Sequence, residues 1–230
     1  PQGQVRAFTA SWVARDAEPS QFAAKGQVTG LTLAAVGDSP GVQGLDLDFE
    51  LNEKGGAARL AMQSGSVDVP TYFEQGLIRV DELSAHARWQ VTGDNMAVQL
   101  NDVKFANADT QGQASIKWQT SDPKKSPSGA RFPGILDLQA TLSRADGRQV
   151  HRYLPLVIDP RARRYVRDAV QGGSASKVRF VVKGDIYDMP AADPRQGTFR
   201  ISADVKDARL AYVPPQLQPA NDLPWPVVHT

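Results

Sequence analysis

Strict two-residue alternation of apolar and polar side chains is the feature that most restricts this chain. Leu45, Leu47, Phe49 and Leu51 alternate with Asp46, Asp48 and Glu50. Leu83, Ala85, Ala87, Trp89 and Val91 alternate with Ser84, His86, Arg88 and Gln90. The pattern returns at Met96, Val98 and Leu100, at Ala114, Ile116 and Trp118, and at Leu136, Leu138, Ala140 and Leu142. It recurs at Val178, Phe180 and Val182, at Phe199, Ile201, Ala203 and Val205, and at Leu210 and Tyr212. Successive side chains of a strand point to opposite faces, so each run has one dry face and one wet face. Strands of this kind belong to antiparallel sheets, because parallel strands buried on both sides read as continuous apolar runs.

Turn chemistry separates the runs. Asn52-Glu53-Lys54-Gly55-Gly56, Thr92-Gly93-Asp94-Asn95 and Ala145-Asp146-Gly147 read as short hairpin connections. Consecutive hairpins make a meander of about ten to twelve strands. Residues 121–134 carry Pro, Lys and Gly without periodicity. They divide a first β segment, 1–120, from a second, 135–212. Residues 213–230 are Pro-rich, which excludes a central strand there. Leu223 to Val228 resembles the start of a further strand.

One helix is predicted over about 159–171. Asp159 can cap it, and Pro160 suits the first helical position. Ala162, Tyr165, Val166, Ala169 and Val170 fall on one face, and Gly172-Gly173 offers a stop. A helical turn around 150–154 precedes it, ended by Pro155.

Few chemistries remain open. Lys and Arg number 26 and Asp and Glu 25, a balance of +1 that argues against nucleic acid as a partner. The chain has no Cys, so thiol catalysis, disulfides and thiolate metal sites are excluded. His86, His151 and His229 are far apart and have no ligand spacing, and His86 falls on a polar strand face. No nucleophile elbow, phosphate loop or dinucleotide fingerprint occurs. Asp46, Asp48 and Glu50 read as the wet face of a strand, since they lack the loop of a calcium site. Arg161, Arg163, Arg164 and Arg167 crowd the polar side of the helix, as a solvated face or as a contact for anionic groups. No metal and no cofactor is expected. No apolar run is long enough to span a bilayer, and Pro1-Gln2-Gly3-Gln4 does not open a signal peptide. The chain reads as an internal piece of something longer.

Residues from His151 to Tyr212 resemble the YhdP branch of the AsmA-like proteins of Gram-negative bacteria. The matching pieces are Arg152-Tyr153-Leu154-Pro155, the Arg-rich helix, Gly172-Gly173 and Val178-Arg179-Phe180. They continue with Val182 to Ile186, Asp188-Met189-Pro190, Gly197-Thr198-Phe199 and Asp207 to Tyr212. Ile186-Tyr187 and Met189 stand where the family more often has Leu and Phe. A looser likeness runs through Gly30 to Leu33, Pro40-Gly41, Gly44-Leu45, Gly55-Gly56 and Leu83 to Trp89.

The resemblance implies an all-β, mainly antiparallel fold, a curved meander sheet forming a taco-like groove. It implies a periplasmic part of an inner-membrane-anchored protein that helps move phospholipid toward the outer membrane. The fragment would be a monomer and not an enzyme, with membrane contact made through the full-length protein. The apolar face would then contact acyl chains through Leu45, Leu47, Phe49, Leu51, Leu83, Trp89, Met96, Val98, Leu100, Leu136, Leu138, Phe180, Val182, Phe199 and Ile201. Arg161, Arg163, Arg164 and Arg167 would be possible head-group contacts. The alternation is equally compatible with a closed β-sandwich serving as a structural or protein-interaction module, and less so with a carbohydrate-active β fold.

Overall fold

In the computed structural model, residues 1–15, 18–37, 39–189, 193, 195–218, 221, 223 and 225–229 are described. They form one antiparallel sheet of eleven strands in strict sequence order. The strands are β1 (Gln2–Arg15), β2 (Glu18–Leu33), β3 (Gly41–Asn52), β4 (Gly55–Asp68), β5 (Leu77–Thr92) and β6 (Asn95–Ala106). Next come β7 (Thr110–Gln119), β8 (Ile135–Asp146), β9 (Val170–Asp185), β10 (Gly197–Ala211) and the short β11 (Val227–His229). β11 pairs only with Arg209, Leu210 and Ala211, so the Pro-rich tail adds a brief edge strand and no central one.

The sheet is open, and a closed sandwich is excluded. A sandwich needs two sheets face to face, whereas here β1 and β11 stand at opposite ends of a single linear order. The surface area agrees. A compact chain of 24.9 kDa should expose about 10,200 Å², but this one exposes 15446 Å². Buried apolar residues are correspondingly few, and among the described residues they are Ala58, Met62, Val80, Ala85, Val103, Ala169, Val178 and Ala211. Periodicity left sandwich and open sheet undivided because both use the same alternating strand.

The strands are bent at recurring points. Backbone in the left-handed region occurs at Ala7 (φ 49), Gly30 (φ 65), Gly44 (φ 79), Ser64 (φ 57), Asp102 (φ 52), Lys177 (φ 50) and Asp207 (φ 54). Pairing registers shift across Arg6/Thr9, Val28/Leu31, Gln43/Leu45, Leu100/Val103 and Lys206/Arg209, the intervals that hold five of these residues. These are β-bulges, which bend a strand and increase its twist.

Two insertions decorate the strand ends. Residues 121–134 connect β7 to β8, which pair directly from Gln119↔Ile135 to Thr110↔Ala145, so the sheet runs uninterrupted beneath them. At the opposite ends, between β8 and β9, lie a 3-10 helix (Gly147–Tyr153) and the helix α1 (Pro160–Ala169). Asp159 caps α1 through Arg161 N–H at 2.7 Å. The helix stops two residues before the predicted end because Val170 already begins β9. Gly172 and Gly173 are therefore strand residues and not a helix stop. Gly173 (φ +116) lets β9 pass close to Ala208 of β10, where an added Cβ would come within 2.9 Å.

The packing of α1 corrects the helical wheel. Ala169 is fully buried and Val166 partly so, but Ala162 is exposed. Arg163, expected on the wet side, is 11% exposed, with Nη1 2.9 Å from Glu74 Oε2. Its Nε donates to Ile158 O at 3.1 Å. The short helix lies along strand ends, and the β4–β5 connection covers its Arg163 side. Arg163→Gln is expected to cost about 1–2 kcal/mol, read from the denaturation midpoint. An unchanged midpoint would return Arg163 to the solvated face.

Candidate functional site: the apolar face of the sheet

The pairing registers assemble the face row by row. Paired residues of neighbouring strands share a face, as do residues two apart in one strand. One row runs Gly26, Phe49, Ala58, Ala87, Leu100, Ile116, Leu138, Val182 and Phe199. A second contains Leu51, Gly56, Trp89, Val98, Trp118 and Leu136. Leu45, Met62, Leu83 and Phe105 form another. Val5, Val28, Leu47, Leu60 and Ala85 line up on one side, and Ala114, Ala140, Phe180 and Ile201 on the other. Met96 pairs with Val91 at the last row. All fifteen residues predicted for the apolar face therefore share one face of the sheet.

The opposite face is polar and charge-matched. Lys25 pairs with Glu50, and Asp48 with Arg59. Asp137 stands between Lys117 and Lys183, with Lys183 Nζ at 3.5 Å. Opposite charges facing across strands favour this register weakly, and a slip of one residue would reverse both faces. Asp46, Asp48 and Glu50 belong here. Asp46 accepts the Gly30 N–H at 2.9 Å. His86 is exposed beside Asp102, with 3.2 Å between Nδ1 and Oδ2. Among the described residues no group of three or more His, Asp or Glu could hold a metal ion.

Most of the apolar face is half-buried, covered by its own neighbours, and among the described residues no second sheet lies above it. Small residues set the spacing. An added Cβ at Gly56 would meet Trp89 Cζ2 at 2.5 Å, so the indole lies over that glycine. Phe8 lies similarly over Gly26, at 3.1 Å. Exposure rises on the outer strands: Phe8 is 57% and Trp12 71% exposed on β1, and Phe199 49% and Ile201 50% on β10. Contiguous apolar surface of this extent exceeds what a soluble monomer ordinarily shows to water. The arrangement can bind extended apolar chains without directional contacts, and it has no convergent catalytic groups among the described residues.

The four arginines of α1 are not one cluster. Arg163 is tied to Glu74, and Arg167 Nε lies 3.1 Å from Asp168 Oδ1. Arg161 and Arg164 are exposed. Sequence reasoning missed Phe132, which stacks on Trp118 with ring centroids 5.9 Å apart. Its only signal was an aromatic residue within a Pro-, Gly- and Lys-rich stretch. It also missed Phe8 and Trp12, because β1 carries small and polar residues between them.

Asp185 and Tyr153 are among the groups whose titration is perturbed. Burial opposes ionisation of Asp185, but hydrogen bonds from Ser126, the Tyr187 N–H and Ser121 outweigh it and hold the carboxyl below its ordinary range. Burial pushes the Tyr153 hydroxyl up; the bond from Asn107 works against this and the Asp109 carboxylate reinforces it.

Comparison with known proteins adds one finding: a family model described as YhdP protein matches residues 1–229. No curated relative and no solved structure matched the chain.

Proposed function

The chain belongs to the YhdP family, and from that premise we propose that its apolar sheet face binds phospholipid acyl chains and conducts them between membranes. The observation that carries this reading is the register: ten long strands place their apolar residues on one face, in one layer, and among the described residues no second sheet packs over it. The attraction is hydrophobic and non-directional, so chains can slide from row to row and no single residue is indispensable. The face needs no cofactor and performs no bond chemistry. Family membership supports an envelope setting in Gram-negative bacteria, with this chain as a periplasmic stretch of a longer bridge between inner and outer membrane. No helix of the described residues is long and apolar enough to cross a bilayer.

Leu47 tests the reading. In a closed core, truncating it would cost about 2–5 kcal/mol. On this open face it is only part-buried, so Leu47→Ser should cost about 1 kcal/mol, roughly half the transfer value of a fully buried leucine. Fluorescent phospholipid binding by the same variant should fall more clearly than stability does. A loss of several kcal/mol, with no phospholipid binding by the unaltered chain, would reject lipid conduction.

A further inference from the structure

The 121–134 insertion wraps around the strand ends and places consecutive residues on opposite sides of the sheet. Phe132 stacks on Trp118, whose neighbours Val98 and Leu136 belong to the apolar face. Trp118 Nε1 donates to Pro133 O at 2.8 Å, which fixes that side of the loop. Arg131 lines a recess of about 1000 Å³. The floor of that recess includes Gln90, Ala97, Gln119 and Ile135, which pair into one row of the polar face. Met96 lines the recess too, although it belongs to the last apolar row, so the recess opens where the two faces meet.

The recess holds charges of both signs. Arg131 Nη2 is 2.8 Å from Asp94 Oδ2, but its Nε is buried without a hydrogen-bond partner. A buried donor left unsatisfied costs about 1–3 kcal/mol, so it marks a position where an acceptor gains. Lys124 lines the wall and makes no ion pair among the described residues; Asp122 is paired with Lys125 Nζ at 3.6 Å, and Asp188 supplies a further carboxylate. The Ser121 and Ser126 hydroxyls, at 2.9 and 2.7 Å from Asp185 Oδ2, hold the wall in place. The recess is large enough for a small polar group. The aromatic pair beside it suits the boundary between acyl chain and water.

We propose that this recess takes the zwitterionic phosphodiester head group of a phospholipid whose chains lie on the apolar face. The phosphate would accept from Lys124 and, after a small turn of the guanidinium, from Arg131 Nε, and the amine would lie toward Asp188. This rests on the lipid reading above and adds to it a fixed place where the head group pauses.

The test separates the two. Glycerophosphoethanolamine, a head group without acyl chains, is titrated while the Arg131 Nε–H resonance is followed by NMR. Inorganic phosphate is titrated in parallel, and fluorescent phospholipid binding is measured on the same samples. A saturable shift with glycerophosphoethanolamine is expected, stronger than with phosphate, and weakened about tenfold by Lys124→Glu, the loss of one charge-assisted contact. Lys124 is exposed, so the variant should keep the unaltered melting temperature. No shift at Arg131, with phospholipid still bound, overturns the head-group site and leaves the apolar-face reading standing. An equal response to inorganic phosphate identifies a bare anion site and overturns the assignment. Loss of both signals overturns both.

Discussion

Met62→Asp is expected to abolish cooperative folding or to cost about 4 kcal/mol or more. Met62 is 1% exposed, the most enclosed large side chain of the sheet. Its neighbours across the strands are Leu45 and Leu83, so a carboxylate there would be desolvated without an assigned donor. Gly65 is shaped around it: an added Cβ would meet Met62 Cγ and Sδ at 2.6 Å. The contrast with Leu47 is the useful part. Both side chains lie on the same face, separated by one row, yet the expected costs differ about fourfold because one is covered and the other is half wet. Chemical denaturation of the two variants side by side decides it. Equal losses would mean a uniformly closed core, contrary to the open sheet. A small loss at Met62 would mean that the bulge at Ser64 is not where the sheet is tightest.

How much of this was legible depended on where the bulges fall. β3, β5, β7 and β8 alternate without interruption across the rows used above, and their faces could be read off directly. β1 and β2 could not, because the left-handed residues Ala7 and Gly30 break the two-residue period in mid-strand. β4 was implied only by the turns around it, since its face is built partly from Gly56 and Ala58. Alternation dictates which side chains share a face, but not whether a second layer covers that face. That question is decided by strand order, and here the surface area answers it. The helix was legible from its cap and proline, while its packing was not. A helical wheel assumes a broad surface beneath, whereas α1 lies along strand ends, where a loop residue such as Glu74 can claim one side. The end of α1 was misread for a related reason: Gly172-Gly173 looks like a helix stop, but both glycines serve the close approach of β9 to β10. Phe132 was invisible because no periodicity surrounds it, and only the fold of the 121–134 loop brings it onto Trp118.

The second large effect is expected at Asp109. The insertion between β8 and β9 is fastened across one edge of the sheet. Arg152 Nη1 and the Tyr153 hydroxyl, the latter at 2.9 Å, both reach the same Asp109 oxygen in the β6–β7 turn. Asn107 Nδ2 donates to Tyr153 Oη at 3.0 Å and lies 3.2 Å from Arg79 O of β5. Further along, Phe73 and Pro155 form a β-bridge, and Leu156 N–H donates to Tyr72 O at 2.9 Å. On the other side Tyr165 Oη donates to Tyr212 O at 3.0 Å, just past β10. From β5 to β10 is about 24 Å at the usual strand spacing. The 3-10 segment reaches about 14 Å and α1 about 15 Å, enough to brace that whole edge. Asp109 is the central fastening and is 12% exposed. Asp109→Ala would leave the part-buried Arg152 guanidinium without its carboxylate, at a cost of about 3 kcal/mol, the lower end for breaking a buried pair. Asp109→Asn keeps an acceptor and should cost about half as much. Hydrogen exchange distinguishes a fastening from general support. Amides of 147–169 should lose protection first and most, while those of β3 and β7 lose only what the global change requires. The pH dependence has a defined sign. Tyr153 titrates above its ordinary value of 10.0 in the folded chain, so its contribution is fully present below that value and fades as pH rises past it. Uniform loss of protection in both regions would show that Asp109 supports the sheet as a whole, and that the insertion is not separately fastened.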